Sequence, residues 1–298
     1  MSLSVIAILM PGDMGHGVGQ ALREHGHRVV TCLAGRSERT RGLAEQAGLE
    51  DCGDLETLVT ESDLVLSILP PGRALQQAKS VAQAMEATGQ TPVYADCNAI
   101  SPQRAEEIGA VIESAGAPYI DAGIIGLAPG KPGKTRFYVS GRDVAPMQAL
   151  DGKGFEVIAL DDRNGTASGL KMCYAALTKG KWSLYTALLL TAHQLGVNDA
   201  LYAEFEDSQG NDLQAMRGRI PRLPADSERW AEEMDEIAAT FAGVGVPSGF
   251  HQGAGDIYRI VAQTPFASET RETIDASRTM EETLRVIAEV LPNKGKAS

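Results

Sequence analysis

Lys171 stands in an otherwise apolar stretch, Leu170 to Leu177, and an amine in that setting can carry a proton to or from a reacting oxygen. Lysine is seldom placed among apolar helix residues without a reason. Burial or a neighbouring positive charge brings its pKa into the range where it serves as acid and as base. A lysine that snorkels to the helix surface is the plainer alternative. Helical spacing adds partners. Tyr174, three residues on, shares the face of Lys171. Thr178 is about 20° away around the axis and Lys179 about 80°. Tyr174 can offer a hydrogen bond or simply pack. Lys179 can hold a substrate anion, depress the pKa of Lys171, or be a solvated cation. His251 follows the turn Val246-Pro247-Ser248-Gly249 and reads as a structural histidine before a pocket residue.

A second group lies at the N-terminus, in Met10-Pro11-Gly12-Asp13-Met14-Gly15. A dinucleotide fold needs glycines where the first strand turns into the first helix: for the tight turn, for backbone approach to a pyrophosphate, and for helix–strand packing. The helix start then offers amide hydrogens and a positive dipole end to the phosphates. Here Gly12 and Gly15 take the second and third positions, and Met10 stands at the first. NAD-binding versions want an acid about 20 residues on, whereas this chain has Arg36-Ser37-Glu38-Arg39. Arg36 with Ser37, supported by Arg39, suits the 2′-phosphate of NADP through charge-assisted hydrogen bonds. NADP is therefore expected over NAD. Leu69-Pro70-Pro71 and Asn98 each end a strand, where ligands of open α/β sheets bind. Asn98 also suits a turn before Ser101-Pro102, a helix N-cap and first helical residue.

These groups need a scaffold that brings strand ends together, and the hydropathy pattern supplies one. Apolar runs at Val5–Leu9, Arg28–Leu33, Leu64–Leu69, Pro92–Cys97, Tyr119–Ile125, Phe137–Ser140 and Phe155–Leu160 read as strands. Helical stretches at Met14–His25, Ala74–Ala87 and Pro102–Ala115 alternate with them. That alternation predicts an α/β fold with a doubly wound parallel sheet. After Asp161 the pattern becomes helical, at Thr166–Leu195, Val197–Ala203, Asp226–Val244, Gly249–Ala262 and Glu269–Leu291. The expected division is a Rossmann domain over residues 1–162 and an all-helical domain over 163–298, with a basic tail, Asn293–Ser298.

Composition narrows the class. A net charge of −12 disfavours nucleic acid and anionic membranes as main partners. The four cysteines, Cys32, Cys52, Cys97 and Cys173, form no metal-ligand or Cys-x-x-Cys spacing, so no metal is expected. No targeting segment or spanning run is evident, so the expected place is the cytoplasm. Leu184–Leu190 is apolar enough for a buried helix or the seam of a homodimer.

Several segments together resemble the β-hydroxyacid dehydrogenase superfamily, which includes 6-phosphogluconate and 3-hydroxyisobutyrate dehydrogenases. Gly12-Asp13-Met14-Gly15 is similar to its Gly-x-Met-Gly, and Leu69-Pro70 to its nicotinamide-side loop. Asp96 to Pro102 stands where it has Asp-x-Ser-Thr-x-Ser-Pro, and Asp121 to Gly126 where it has Asp-Ala-Pro-Val-Ser-Gly. Gly165 to Lys171 is similar to the helix start that leads to its catalytic lysine. The resemblance is strongest to a sub-branch with an uncharacterised, phosphogluconate-dehydrogenase-like helical domain, near phenylserine dehydrogenases. It implies Lys171 as general acid and base and a substrate side drawn from Asn98, Gly126, Tyr174, Thr178, Lys179 and His251. Substrate-contacting positions of the family depart here to Asn98, Ala99, Ile125, Leu127 and Ala175. The expected activity is NADP-dependent hydride transfer with a polar 3-hydroxy acid or 3-hydroxy amino acid. The alternatives are C=N reduction and a non-catalytic NADP sensor or scaffold.

Overall fold

The computed structural model describes residues 3–291, so the basic tail lies outside the described residues. The chain forms two compact units, Met1–Cys173 and Tyr174–Ser298. The expected boundary at 162/163 falls a few residues before helix Thr166–Leu195, which begins in the first unit and runs on into the second.

The first unit holds one eight-stranded sheet. Its strands are β1 (Val5–Leu9), β2 (Arg28–Thr31), β3 (Glu50–Asp51), β4 (Leu64–Ser67), β5 (Val93–Asp96), β6 (Tyr119–Ile125), β7 (Arg136–Ser140) and β8 (Glu156–Ala159). They lie in the order β3-β2-β1-β4-β5-β6-β7-β8. The expected parallel sheet is mostly that, but β7 pairs antiparallel with β6. The order reverses between β1 and β4, and open α/β sheets take their ligands beyond the carboxyl ends of the strands at such a switch point.

Both faces of the sheet are covered. Ile6 and Ile8 of β1 join one apolar cluster with Val18 and Leu22, while Ala7 and Leu9 join another with Val81 and Ile108. Alternate residues of a strand point to opposite faces, so a strand buried on both faces reads as an unbroken apolar run. The covering helices are α1 (Gly15–Glu24), α2 (Glu38–Gln46), α3 (Leu55–Glu61), α4 (Ala74–Thr88), α5 (Pro102–Ser114) and α6 (Ala145–Gln148).

Next comes α7 (Thr166–Leu195), and the second unit adds α8 (Asn198–Ser208), α9 (Gly210–Arg219), α10 (Pro224–Gly243), α11 (Gly249–Val261) and α12 (Met280–Glu289). No strand occurs there among the described residues. The single helix expected over Glu269–Leu291 is corrected: only α12 is helical in that stretch. Upstream, side chains claim the backbone. Thr273 Oγ1 accepts the Thr270 amide, and Asp275 accepts the amide and hydroxyl of Ser277. Such local bonds compete with a helix. A capping box between Thr279 and Glu282 then starts α12. Helix α9 and the second half of α8 carry too few apolar residues to announce themselves.

Candidate active site

At the end of β1 the chain turns at Met10, which adopts φ +59 and is the one non-glycine residue with positive φ among the described residues. The turn closes with the Gly12 amide donating to the Met10 carbonyl at 2.7 Å. Left-handed backbone costs an L-residue roughly 1–2 kcal/mol, so the methionine at the first glycine position is strained rather than a change of turn. A Cβ on Gly12 would meet only the Met10 carbonyl, at 4.0 Å, and otherwise open space. Gly15 is tighter, with Met10 O at 3.2 Å and Ile8 Cγ2 at 3.3 Å. Close packing also rests on Gly19, whose Cβ would lie 2.7 Å from Leu49 Cδ2. Gly12, Asp13, Met14 and Gly15 thus lead from the carboxyl end of β1 into the N-terminus of α1.

Beyond β2, Ser37 is the N-cap of α2 and accepts the Thr40 amide. Arg36 donates through one terminal nitrogen to Gln77 Oε1 at 3.2 Å, while its Nε is buried with no hydrogen-bond partner. Arg39 reaches back to the glycine turn and pairs with Asp13 at 2.6 Å. Arg41, unassigned in the sequence, donates to the carbonyl of Leu33 and braces this loop. An orphaned guanidinium nitrogen, an open glycine and a helix N-terminus fit a dinucleotide phosphate set.

Asn98 is buried and its carboxamide bridges two strand ends. Its Oδ1 accepts the Leu69 amide at 2.5 Å and its Nδ2 donates to Ser67 Oγ at 3.0 Å. It therefore holds the Leu69-Pro70-Pro71 loop against the end of β5. The expected turn here is made by Asp96, which accepts the Asn98 amide at 2.9 Å. The other oxygen of Asp96 is buried without a hydrogen-bond partner. Burial, joined by repulsion from Asp121, pushes the Asp96 carboxyl up to about 7.

On the neighbouring strand, at the register position beside Asp96, lies Asp121. It is fully buried yet accepts four hydrogen bonds: Ser168 Oγ at 2.6 Å, Gly165 N at 2.9 Å, Ser168 N at 3.0 Å and Ser140 Oγ at 3.1 Å. Burial pushes its carboxyl up, and those donors pull it back. Two of the donors are amides at the start of α7, so Asp121 caps that helix from the sheet. One turn further on, Lys171 donates to the Ile124 carbonyl at 2.6 Å. Gly123 permits this approach, because a Cβ there would lie 2.8 Å from both Ala167 O and Lys171 Cβ. Gly126 follows with φ +116, where a Cβ would lie 2.1 Å from Lys134 O, so its contribution is backbone geometry. The strands β1, β4, β5 and β6 run parallel. Their carboxyl ends, carrying the glycine turn, Leu69, Asn98 and the Lys171 contact, therefore share one edge.

Residues of the second unit are placed as follows. Tyr174 is exposed, and Thr178 donates to the Tyr174 carbonyl. Lys179 is buried, with its ammonium paired to Glu233 and lying 5.8 Å from the Trp230 ring centre. That carboxylate also takes Arg229, so the structure commits Lys179 to an ion-pair cluster. His251 is buried between Phe241 and Phe250, at ring distances of 4.2 and 5.4 Å, with Nδ1 lacking a hydrogen-bond partner. Burial lowers its pKa and favours the neutral ring. A cleft of about 490 Å³ opens beside Pro102, Arg142, Arg163 and Thr166, and Lys171 does not line it.

The supporting residues Ser67, Asp96, Asp121, Gly123, Ser140 and Ser168 carry no role in the sequence reading. A usable signal existed for one of them: a carboxylate inside the otherwise apolar run Tyr119–Ile125 must find donors when buried. Among the described residues no group of three or more His, Cys, Asp or Glu could hold a metal, and no helix is long and apolar enough to cross a membrane.

Residues 6–150 match the NAD binding domain of 6-phosphogluconate dehydrogenase, and residues 192–261 match a domain of unknown function, DUF1932. An uncharacterized 28.5 kDa protein of Methanothermus fervidus is 29% identical over 70% of this chain and 80% of its own. A probable 3-hydroxyisobutyrate dehydrogenase of Mycobacterium tuberculosis is 24% identical over 86% of this chain and 92% of its own. Among solved structures, a conserved protein of unknown function described as structurally similar to 3-hydroxyacid dehydrogenases is 27% identical. Its TM-score is 0.61, over 86% of this chain and 96% of that one. A reductive aminase from Aspergillus terreus, solved with NADPH and ethyl levulinate, shares the fold at 17% identity and TM-score 0.52, over 97% and 98% of the two chains.

Proposed function

The chain belongs to the 3-hydroxyisobutyrate dehydrogenase-like, 6-phosphogluconate dehydrogenase-like superfamily, and on that premise we propose that it is an NADP-dependent oxidoreductase acting on a polar 3-hydroxy acid or 3-hydroxy amino acid. The observation that carries the reading is the shared strand edge, where the Lys171 amine meets the end of β6 while the glycine turn and the Asn98-held loop end β1 and β4. Bound NADP would supply or accept the hydride.

The protein's own groups supply the rest. Lys171 takes the hydroxyl proton during oxidation and returns it to the carbonyl oxygen during reduction. The Ile124 carbonyl orients the lysine by accepting one of its hydrogens in either protonation state. Arg36, with its spare Nε, is the reader of the 2′-phosphate, supported by Ser37 and Arg39. Tyr174, Thr178 and His251 remain candidates for the substrate side. Lys179 would reach a substrate anion only by leaving Glu233.

A second reading, reduction of a C=N bond, is favoured by one observation. Positions where the family grips substrate with polar groups hold a buried Ile125, a buried Ala175 and an Asn98 already engaged by Ser67 and Leu69. Steady-state assays with NADP+ on 3-hydroxy acids and 3-hydroxy amino acids, and with NADPH on cyclic imines, separate the two. Turnover of the hydroxy compounds supports the first reading and turnover of imines alone the second. NADPH binding without turnover of any would leave a sensor.

Pairing of two copies is part of the proposal. Leu177, Leu184 and Leu195 of α7 are 70%, 47% and 70% exposed. At about 100° per residue they lie within roughly 20° of one stripe. An apolar stripe of that kind suits a two-fold seam, and light scattering reads the mass directly.

A further inference from the structure

The buried carboxylate of Asp121 has no part in the chemistry just described, yet more hydrogen bonds converge on it than on any other group of the strand edge. It belongs to β6, it stands beside Asp96 in the parallel pair of β5 and β6, and three of its four donors come from Gly165 and Ser168 at the start of α7. The fourth, Ser140 of β7, accepts in turn from the Ala167 amide at 3.0 Å. Asp121 and Ser140 are register partners across the antiparallel pair, so two strands grip the same helical turn.

Asp121 and Gly123 sit two residues apart and therefore share a face of β6. The first binds the helix start; the second, lacking a Cβ, lets Ala167 O and Lys171 Cβ approach the strand backbone. Lys171 lies three residues beyond Ser168, so any rotation or slide of the first turn moves its amine. The amine has a fixed target on the same strand, the Ile124 carbonyl. A helix of 30 residues anchored at its first turn transmits that placement rigidly.

We propose that Asp121, through Ser168 and the Gly165 amide, is the positioning residue that sets where the Lys171 amine stands, with Gly123 as the clearance that the placement requires. This rests on the reading of Lys171 as the proton carrier, but the placement itself can be measured without any substrate. Asp121 contacts neither cofactor nor substrate in this role and acts only through Lys171.

The test uses the full-length protein and its Ser168→Ala, Ser168→Thr and Asp121→Asn variants. Lys171 is labelled with acetic anhydride, and its rate is read by peptide mass spectrometry against the exposed Lys79. Ser168→Ala, which removes one donor of four, is expected to change the relative labelling of Lys171 by about threefold or more, because its environment and hydrogen bond shift. Ser168→Thr, which keeps the hydroxyl, is expected to restore the wild-type value. NADPH affinity should stay within about twofold, since the glycine turn and the arginines are untouched. On a substrate that is turned over, kcat should fall by about tenfold or more with the KM for NADPH held.

Folded Ser168→Ala protein with wild-type labelling of Lys171 overturns the proposal, and so do equal changes in the Ala and Thr variants, which would mean a packing effect. Asp121→Asn should give a larger change than Ser168→Ala; the reverse order also counts against it. If the wild-type enzyme turned over nothing, the functional reading would fail while the labelling result still decided the placement.

Discussion

Lys171 Nζ lies 2.6 Å from the carbonyl oxygen of Ile124, a contact that ties a residue on the first long helix to the carboxyl end of the sixth strand. The contact depends on Gly123, because any larger residue there would hold the helix away from the strand. It fixes the direction in which the amine leaves the helix.

Replacing this lysine separates binding from chemistry. Lys171→Ala should bind NADPH within about twofold of wild type and lose turnover by about 10²-fold or more, the range of a general acid–base group. Fluorescence titration with NADPH and a steady-state assay read the two quantities. Unchanged turnover would remove Lys171 from the mechanism.

Arg36 is the test of cofactor choice. Its Nε is buried and lacks a hydrogen-bond partner. Arg36→Ala should weaken NADPH by about 2–3 kcal/mol, the value of a charge-assisted hydrogen bond left unmade, and leave NADH nearly unchanged. Calorimetric titration with both cofactors measures the difference; equal losses would mean that the arginine does not read the 2′-phosphate.

The strained turn predicts an inversion of the usual ranking of small residues. Met10 holds φ +59, where glycine is unstrained. Met10→Gly should therefore be more stable than Met10→Ala by about 1 kcal/mol in urea unfolding, since both lose the same packing and only alanine keeps the strain. A more stable alanine variant would show that the turn is relaxed.

Asp96 sets a pH dependence with a definite sign. Its folded pKa, about 7, is raised above the ordinary carboxyl value of 3.8. The stability tied to its proton is present in full below the unfolded value and is lost as pH rises through the folded one. Asp96→Asn removes that titration. The stability difference, variant minus wild type, should therefore grow between about pH 4 and pH 7 and level off above. Urea unfolding of both proteins across that range reads it, and a difference independent of pH would mean that the carboxyl is not perturbed.

Much of the frame was legible from residue order. The apolar runs Val5–Leu9 and Tyr119–Ile125 had to be buried strands, because nothing else hides five to seven consecutive side chains on two faces. The glycines at 12 and 15 had to lie where backbone comes close to something, and Lys171 stood out because its neighbours were apolar. Those conclusions need only local spacing, since strand and helix periods act over a few residues.

What tertiary structure alone decided is which partners those residues have. Lys179 and Lys171 lie on one helix, yet one ammonium pairs with Glu233 of α10 and the other meets a strand carbonyl. Asn98 reads as a ligand group in sequence and is, in space, a clamp between Ser67 and Leu69. Asp121, Ser140 and Ser168 are spread over 48 residues of chain and converge on one carboxylate. Hydrogen bonds act over about 3 Å, so they report which residues meet after folding, and no local pattern in the chain encodes that meeting.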